Sequence, residues 1–258
     1  MAYPVLSSLR MNVSLYQAAA AMNANSRWQE VIAENLAGSS IPGSRKLDIS
    51  FSGVPVSMAT GVPAVNGSGH VMPSSTATVN FQQGTLRPTG LPTDLAIEGA
   101  GFFEVQLPNG SHAFSRDGEL QLNAQGQLVT KQGYLVLGDS GPLQLDPANS
   151  SPISVSSTGE VSQGGGLKGR IRLVEFSQPN QLKPIGGGCF LAVNPQSQPL
   201  PAQSSQLRQG YLEGANTSPT TEMASLITAM RMFEANQKVM QMQDERMGRV
   251  ITDLGNAN

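Results

Sequence analysis

Apolar positions change their period twice along the chain. From about Tyr3 to Ala37 the chain is rich in Ala, Met, Leu and Gln, with no glycine and no proline after Pro4. That composition favours helix. Leu15, Ala18, Met22, Ile32 and Leu36 recur at a spacing of three and four and mark one helical face, interrupted at Asn25 and Gln29. Gly38 and Pro42 supply the stop. The middle, from about Gly43 to Leu207, switches to period two. Ser50–Ser75 is rich in Gly, Ser, Pro and Val and reads as an irregular arm. From Phe81 onward hairpins are predicted. Phe102–Leu107 runs into Pro108-Asn109-Gly110, the favoured tight-turn chemistry. Glu119–Leu122 turns at Ala124-Gln125-Gly126 and returns as Gln127–Thr130. Further strands are expected at Tyr134–Leu137, Ile153–Val155, Arg170–Phe176 and Cys189–Val193.

The last region, Ser218–Leu254, returns to a helical period. Ser218 suits an N-cap, Pro219 the first helical position and Glu222 the first turn. Met223, Leu226, Met230, Phe233, Met240, Met247, Ile251 and Leu254 then follow a heptad spacing, broken at Gln237 and Asp244. Such a run predicts a coiled-coil seam, and its methionines suit an adaptable contact surface. The expected fold class is therefore α+β. N- and C-terminal helices pair in a coiled-coil-like layer around a central β-rich domain of antiparallel strands. The expected organisation is a helix over 1–42, an extended linker or arm over 43–80, a β-rich domain over 81–208 and a helix over 209–258. The helical stripes can be covered by each other, by the β domain or by other copies. One contact face buries too little apolar surface to offset the ordering of so long a helix. The ends are therefore expected to order fully in an assembly, with an intramolecular helical hairpin as the alternative.

Composition narrows the function. Charged residues are 13% of the 258 and the formal net charge is −2. A surface so poor in charge suits burial against neighbours, and no basic stripe for nucleic acid is present. The single cysteine, Cys189, excludes an intrachain disulfide and is expected to be buried. Arg10 is the one charge in the first 26 residues and no apolar run follows it, so no cleaved secretory signal is expected. No stretch is apolar enough for a membrane span.

Candidate chemistry is sparse. His70 and His112 stand apart from any second ligand, so neither a metal site nor a cofactor is expected. His112 and Asp117 could be written into a triad, but no Gly-x-Ser-x-Gly elbow marks a nucleophile. Gly164–Gly169 fits the spelling of a dinucleotide loop but precedes a strand, so a hairpin loop is the better reading. No enzymatic activity is expected.

Three stretches resemble the flagellar basal-body rod and hook family. Val31–Ala37, with Asn35 and Leu36, precedes the turn Ile41-Pro42-Gly43. Asp94-Leu95-Ala96-Ile97-Glu98-Gly99-Ala100-Gly101-Phe102-Phe103 is followed by Phe114-Ser115-Arg116-Asp117-Gly118 and Gly126–Thr130. Gly210–Asn216, with Glu213 and Asn216, leads to Glu222-Met223 and to Arg231-Met232-Phe233-Glu234-Ala235-Asn236. The family's aromatic after the first Pro-Gly is absent here, where Ser44-Arg45-Lys46 stands. The resemblance implies a subunit exported unfolded through the flagellar type III apparatus. Its terminal helices would line a hollow, torque-transmitting shaft across the periplasm, and its β domain would form the outer layer. Its partners would be other copies and other rod or hook subunits. Leu212-Glu213-Gly214 and Gly141-Pro142-Leu143 point to the proximal rod. The alternatives are a distal-rod or hook-type subunit and, from a different class, a soluble β-domain binding protein.

Overall fold

In the computed structural model, residues 4–56, 70–149, 151–194 and 197–255 are described. Among the described residues, two long helices bracket nineteen strands. Helix α1 is Pro4–Gly38; four successive alanines at its centre and the absence of glycine and proline between its ends favour it. Strands β1 (Leu47–Val56) and β2 (His70–Val79) follow, then β3 (Leu86–Pro88), β4 (Leu95–Glu98), β5 (Phe102–Gln106) and β6 (His112–Ser115). Next come β7 (Leu120–Leu122), β8 (Leu128–Thr130), β9 (Leu135–Gly138), β10 (Gly141–Pro142), β11 (Ile153–Val155), β12 (Glu160–Gln163) and β13 (Gly166–Arg170). The last strands are β14 (Leu173–Glu175), β15 (Leu182–Gly186), β16 (Cys189–Ala192), β17 (Leu200–Pro201), β18 (Gln206–Gln209) and β19 (Tyr211–Glu213). Helix α2 is Pro219–Gly255, with Pro219 opening it and Glu222 in its first turn.

The chain forms two compact units. One gathers α1 as far as Glu34, the ribbon of β1 and β2, and α2 from Thr220. The other holds 35–46 and 79–219. In the first unit, Trp28 of α1 meets Phe51 of β1 edge-on, ring centroids 5.9 Å apart. Ser50–Ser75, read from sequence as irregular, is regular at both its described ends, where β1 and β2 pair. Gly53, Pro55 and Pro73 made these segments look broken. A two-stranded ribbon has an open edge on each strand, where a proline costs no ladder bond.

The second unit is built on one large sheet, ordered β15-β16-β6-β5-β9-β8-β7, with β10 on β9 and β14 on β5. Its pairings are antiparallel. Strand β5 lies at its centre and is buried on both faces. Phe103 and Val105 enter a core with Leu95, Ile97, Val136, Val161 and Ile171, while Phe102 enters a second cluster with Phe114, Val174, Phe176 and Phe190. Alternation along one strand thus feeds two cores. The Gly164-Gly165 pair, both at positive φ, turns β12 into β13, so the glycine run is a hairpin loop. The strand expected over Arg170–Phe176 is divided. Arg170 ends β13, Ile171 bridges to Gly138, and β14 begins at Leu173.

Candidate functional site

On α2 the less exposed positions are Glu222, Ser225, Leu226, Ala229, Phe233, Asn236, Met240, Gln243 and Met247. Apart from Ser225 they step alternately by four and three, the heptad rhythm. One column, Leu226, Phe233, Met240 and Met247, belongs to the stripe expected from sequence. The other is Glu222, Ala229, Asn236 and Gln243, small or polar throughout. Met223, Met230 and Ile251, expected on the same seam, are exposed in the single chain, together with Ile227, Met232, Val239, Met242 and Val250. Arg231 and Glu234 are exposed as well. Helix α1 buries Ala24, Asn25, Val31, Ile32 and Asn35, and half-buries Met22 and Leu36. Leu15 and Leu254 belong to α1 and α2, but their side chains lie outside the described residues. At about 100° per residue these exposed apolar positions fall on both flanks of the less exposed columns: Met223, Ile227 and Met230 on one side, Met232, Val239 and Val250 on the other.

The second element is a polar junction inside the β unit. Gly43, at φ +68°, turns the chain beside Arg116, whose carbonyl oxygen would lie 2.3 Å from any Cβ added there. This turn delivers Arg45 to the interior. Arg45 Nη2 stands 2.7 Å from Glu213 Oε1, and Arg116 Nη1 stands 3.3 Å from Glu213 Oε2. The side chains of Arg45 and Glu213 are 0% exposed and that of Arg116 is 3% exposed. Gly84 N–H also donates to Glu213 Oε1 at 2.8 Å. Arg116 Nη2 donates to the Gly99 carbonyl at 2.7 Å, and its guanidinium lies over the Phe102 ring, 5.0 Å from the centroid. Burial, with Arg45 beside it, pulls the Arg116 pKa down to about 10 against the attraction of Glu213.

Asn216 completes the junction. Its Oδ1 accepts from Lys46 N–H at 2.6 Å, and its Nδ2 donates to the carbonyls of Asn80 and Gln82 at 2.8 and 3.0 Å. The side-chain amide is thereby fully used. Nearby, Asp94 is buried and bridges to Glu119, while Ile97 sits in the main core. Gly101 is closed in by Ser205, and Gly118 packs so tightly that a Cβ would fall 1.6 Å from Leu95 O. Asp117 accepts from Glu119 N–H at 3.0 Å, and burial pushes its carboxyl up to about 6. Cys189 is buried and its thiol is pushed up to about 11 by burial, far from a reactive thiolate.

The residues that raised catalytic questions are not assembled for chemistry. His112 Nδ1 lies 2.5 Å from Glu104 Oε1, not against Asp117, and Arg172 Nε takes the other Glu104 oxygen at 3.1 Å. His70 opens β2, its side chain outside the described residues. Among the described residues, no group of His, Cys, Asp or Glu is arranged to hold a metal ion, and no helix is long and apolar enough to cross a membrane.

Sequence reading placed Arg116, Glu213 and Asn216 in motifs but assigned no role to Arg45 or Gly84, and it did not read Glu222, Ala229, Asn236 and Gln243 as one column. The position of Arg45, two residues past a Pro-Gly turn, was the one available signal.

The fold defines an α+β protein with a β unit packed around two apolar clusters and a C-terminal helix that exposes several large apolar side chains. Residues 96–163 match the family model described as flagellar hook protein FlgE/F/G D1 domain, and residues 208–253 match that of flagellar basal body rod FlgEFG protein C-terminal. The chain is 33% identical to the flagellar basal-body rod protein FlgG of Borreliella burgdorferi, over 91% of this chain and 96% of that protein. It is 34% identical to the rod protein FlgF of Caulobacter vibrioides, over 89% and 92% of the two. A rod protein FlgG of Agrobacterium fabrum is 31% identical over 92% of this chain and 97% of its own length. The chain therefore belongs to the flagellar basal-body rod protein family, which is a structural family, not a family of enzymes.

Proposed function

We propose that this chain is a structural subunit of the bacterial flagellar basal-body rod, and that it polymerises through α1 and α2 into a hollow shaft that carries torque. The observation that supports this most is that Met223, Ile227 and Met230 on one flank, and Met232 and Val239 on the other, are exposed on either side of the half-buried column of α2. On this reading α1 and α2 pair as a coiled coil and neighbouring subunits cover the remaining flanks. Each helix is then contacted from several sides, as a shaft under torsion requires. The subunit reaches its place through the flagellar export apparatus, without a cleaved signal, and stands in the periplasm-spanning part of the basal body. Its neighbours are further copies and other rod or hook subunits. Relatives carrying two different rod names match at nearly equal identity. The proximal position proposed here rests on Leu212-Glu213-Gly214 and Gly141-Pro142-Leu143, with the distal rod as the alternative.

A chain lacking Met223–Leu254 tests the reading. It is expected to lose self-association and incorporation into basal bodies while its β unit stays folded, measured by light scattering, circular dichroism and recovery of basal bodies from cells. Normal incorporation of the truncated chain would refute it.

A further inference from the structure

We propose that Arg45, Glu213 and Arg116 form a clasp that makes the ordering of the segment after α1 conditional on docking of the segment before α2. Three observations carry this. The charges are unequal: two buried guanidiniums share one buried carboxylate. The hydrogen bonding is equally one-sided. Nε, Nη1 and Nη2 of Arg45 are all buried without a hydrogen-bond acceptor, so what holds the guanidinium is the ion pair of Nη2 with Glu213 Oε1 at 2.7 Å. Finally, the backbone around Arg45 is bonded largely to the segment that carries Glu213. Gly43 N–H donates to Glu213 O at 2.7 Å, Lys46 N–H donates to Asn216 Oδ1, and Asn216 N–H donates to Ser44 O at 3.3 Å.

Without residues 213–216 in place, 43–46 would therefore lose these three bonds and its counter-charge at once, keeping Ser44 N–H to Ile41 O and Asn80 N–H to Lys46 O. A buried cation with no partner is strongly unfavourable, and two that also repel each other are worse. Arg116 retains the Gly99 carbonyl, the Phe102 ring face and the more distant charge of Glu175. Arg45 has no comparable fallback, so it is the member that leaves when Glu213 is absent. The clasp thus has two states, closed with all three segments or open with 43–46 released. Nothing in this depends on how the subunit assembles, and a failure of the rod reading would leave it intact.

Hydrogen exchange on the purified full-length chain, read by mass spectrometry, tests the device with three variants. Glu213→Gln leaves two cations unpaired and is expected to accelerate exchange over 43–46 by roughly a hundredfold or more. Exchange at Phe103, Val105 and Val136 should change by less than about tenfold. Adding Arg45→Met to Glu213→Gln restores the original net charge of the cluster and is expected to recover most of the lost protection. Arg45→Met alone leaves a neutral pair and is expected to be milder than Glu213→Gln. Should Glu213→Gln fail to fold, the double variant must fold. Unchanged exchange over 43–46 in Glu213→Gln would overturn the proposal. So would uniform loss of protection across the sheet, or a double variant worse than Glu213→Gln alone, since a simple packing role predicts additive damage.

Discussion

The β unit and α2 treat apolar surface in opposite ways. Around β5, Phe102, Phe103, Val105 and Val136 are almost wholly buried within the chain, and Arg116, Glu213 and Asn216 find their polar partners there too. Along α2, Met223, Met230, Met232 and Ile251 are each more than half exposed. The β unit buries its central strand within the chain, although Leu91, Leu167, Val193 and Leu200 at its surface stay exposed, whereas none of the described large apolar side chains of α2 is fully buried. Stability should accordingly be concentrated in the β unit and association in the helix, and substitutions can separate the two.

The largest expected effect is Phe103→Ala. It opens a cavity at the centre of the main core and is expected to cost the β unit about 3–5 kcal/mol, seen as an early thermal transition by calorimetry. If α2 contributed equally to that transition, the contrast between the regions would fail. Asp117→Asn comes next. The Asp117 carboxyl, raised from 3.8 to about 6 by burial, keeps its proton in the folded state at a pH where the unfolded chain has lost it. The contribution of this group to stability should be greatest below about pH 4, fall as pH rises through about 6, and level off above that, by up to about 3 kcal/mol in all. Asparagine can still accept from Glu119 N–H, so the variant should lose this slope and be the more stable protein at pH 7, as denaturant titrations across pH would show. Smallest in stability is the pair Met223→Ser and Met230→Ser. Both side chains are about half exposed, so the isolated chain should change by no more than about 1 kcal/mol. Its self-association in light scattering should nevertheless weaken. A large fall in thermal stability would mean that these methionines already serve the single chain.

The same contrast explains what could be read from the sequence. Strand β5 and its hairpin were legible because alternation and the Asn109-Gly110 turn are local signals. Both terminal helices were legible for the same reason. On α2 the column Leu226, Phe233, Met240 and Met247 was found. Its companion, Glu222, Ala229, Asn236 and Gln243, was not, because hydrophobicity selects large apolar residues and these positions are small or polar. The ribbon of β1 and β2 was hidden by prolines that an edge strand tolerates. Arg45 was hidden more deeply. In Ser44-Arg45-Lys46 it looks like one of two solvated charges, and only its pairing with a glutamate far along the chain makes it interior. Local pattern carries no information about such a partner.

The methionines of α2 also give the open face a chemical lifetime. Oxidation turns a thioether into a sulfoxide, which is polar and chiral, and it proceeds fastest where the sulfur is accessible. Met223, Met230, Met232 and Met242 present such sulfurs to solvent in the lone chain. Peroxide can therefore erase the apolar character of that surface without touching the β unit, and a reductase can restore it. A neighbour seated over the same side chains would shield them, so the oxidation state of these four residues records how long a subunit has waited uncovered.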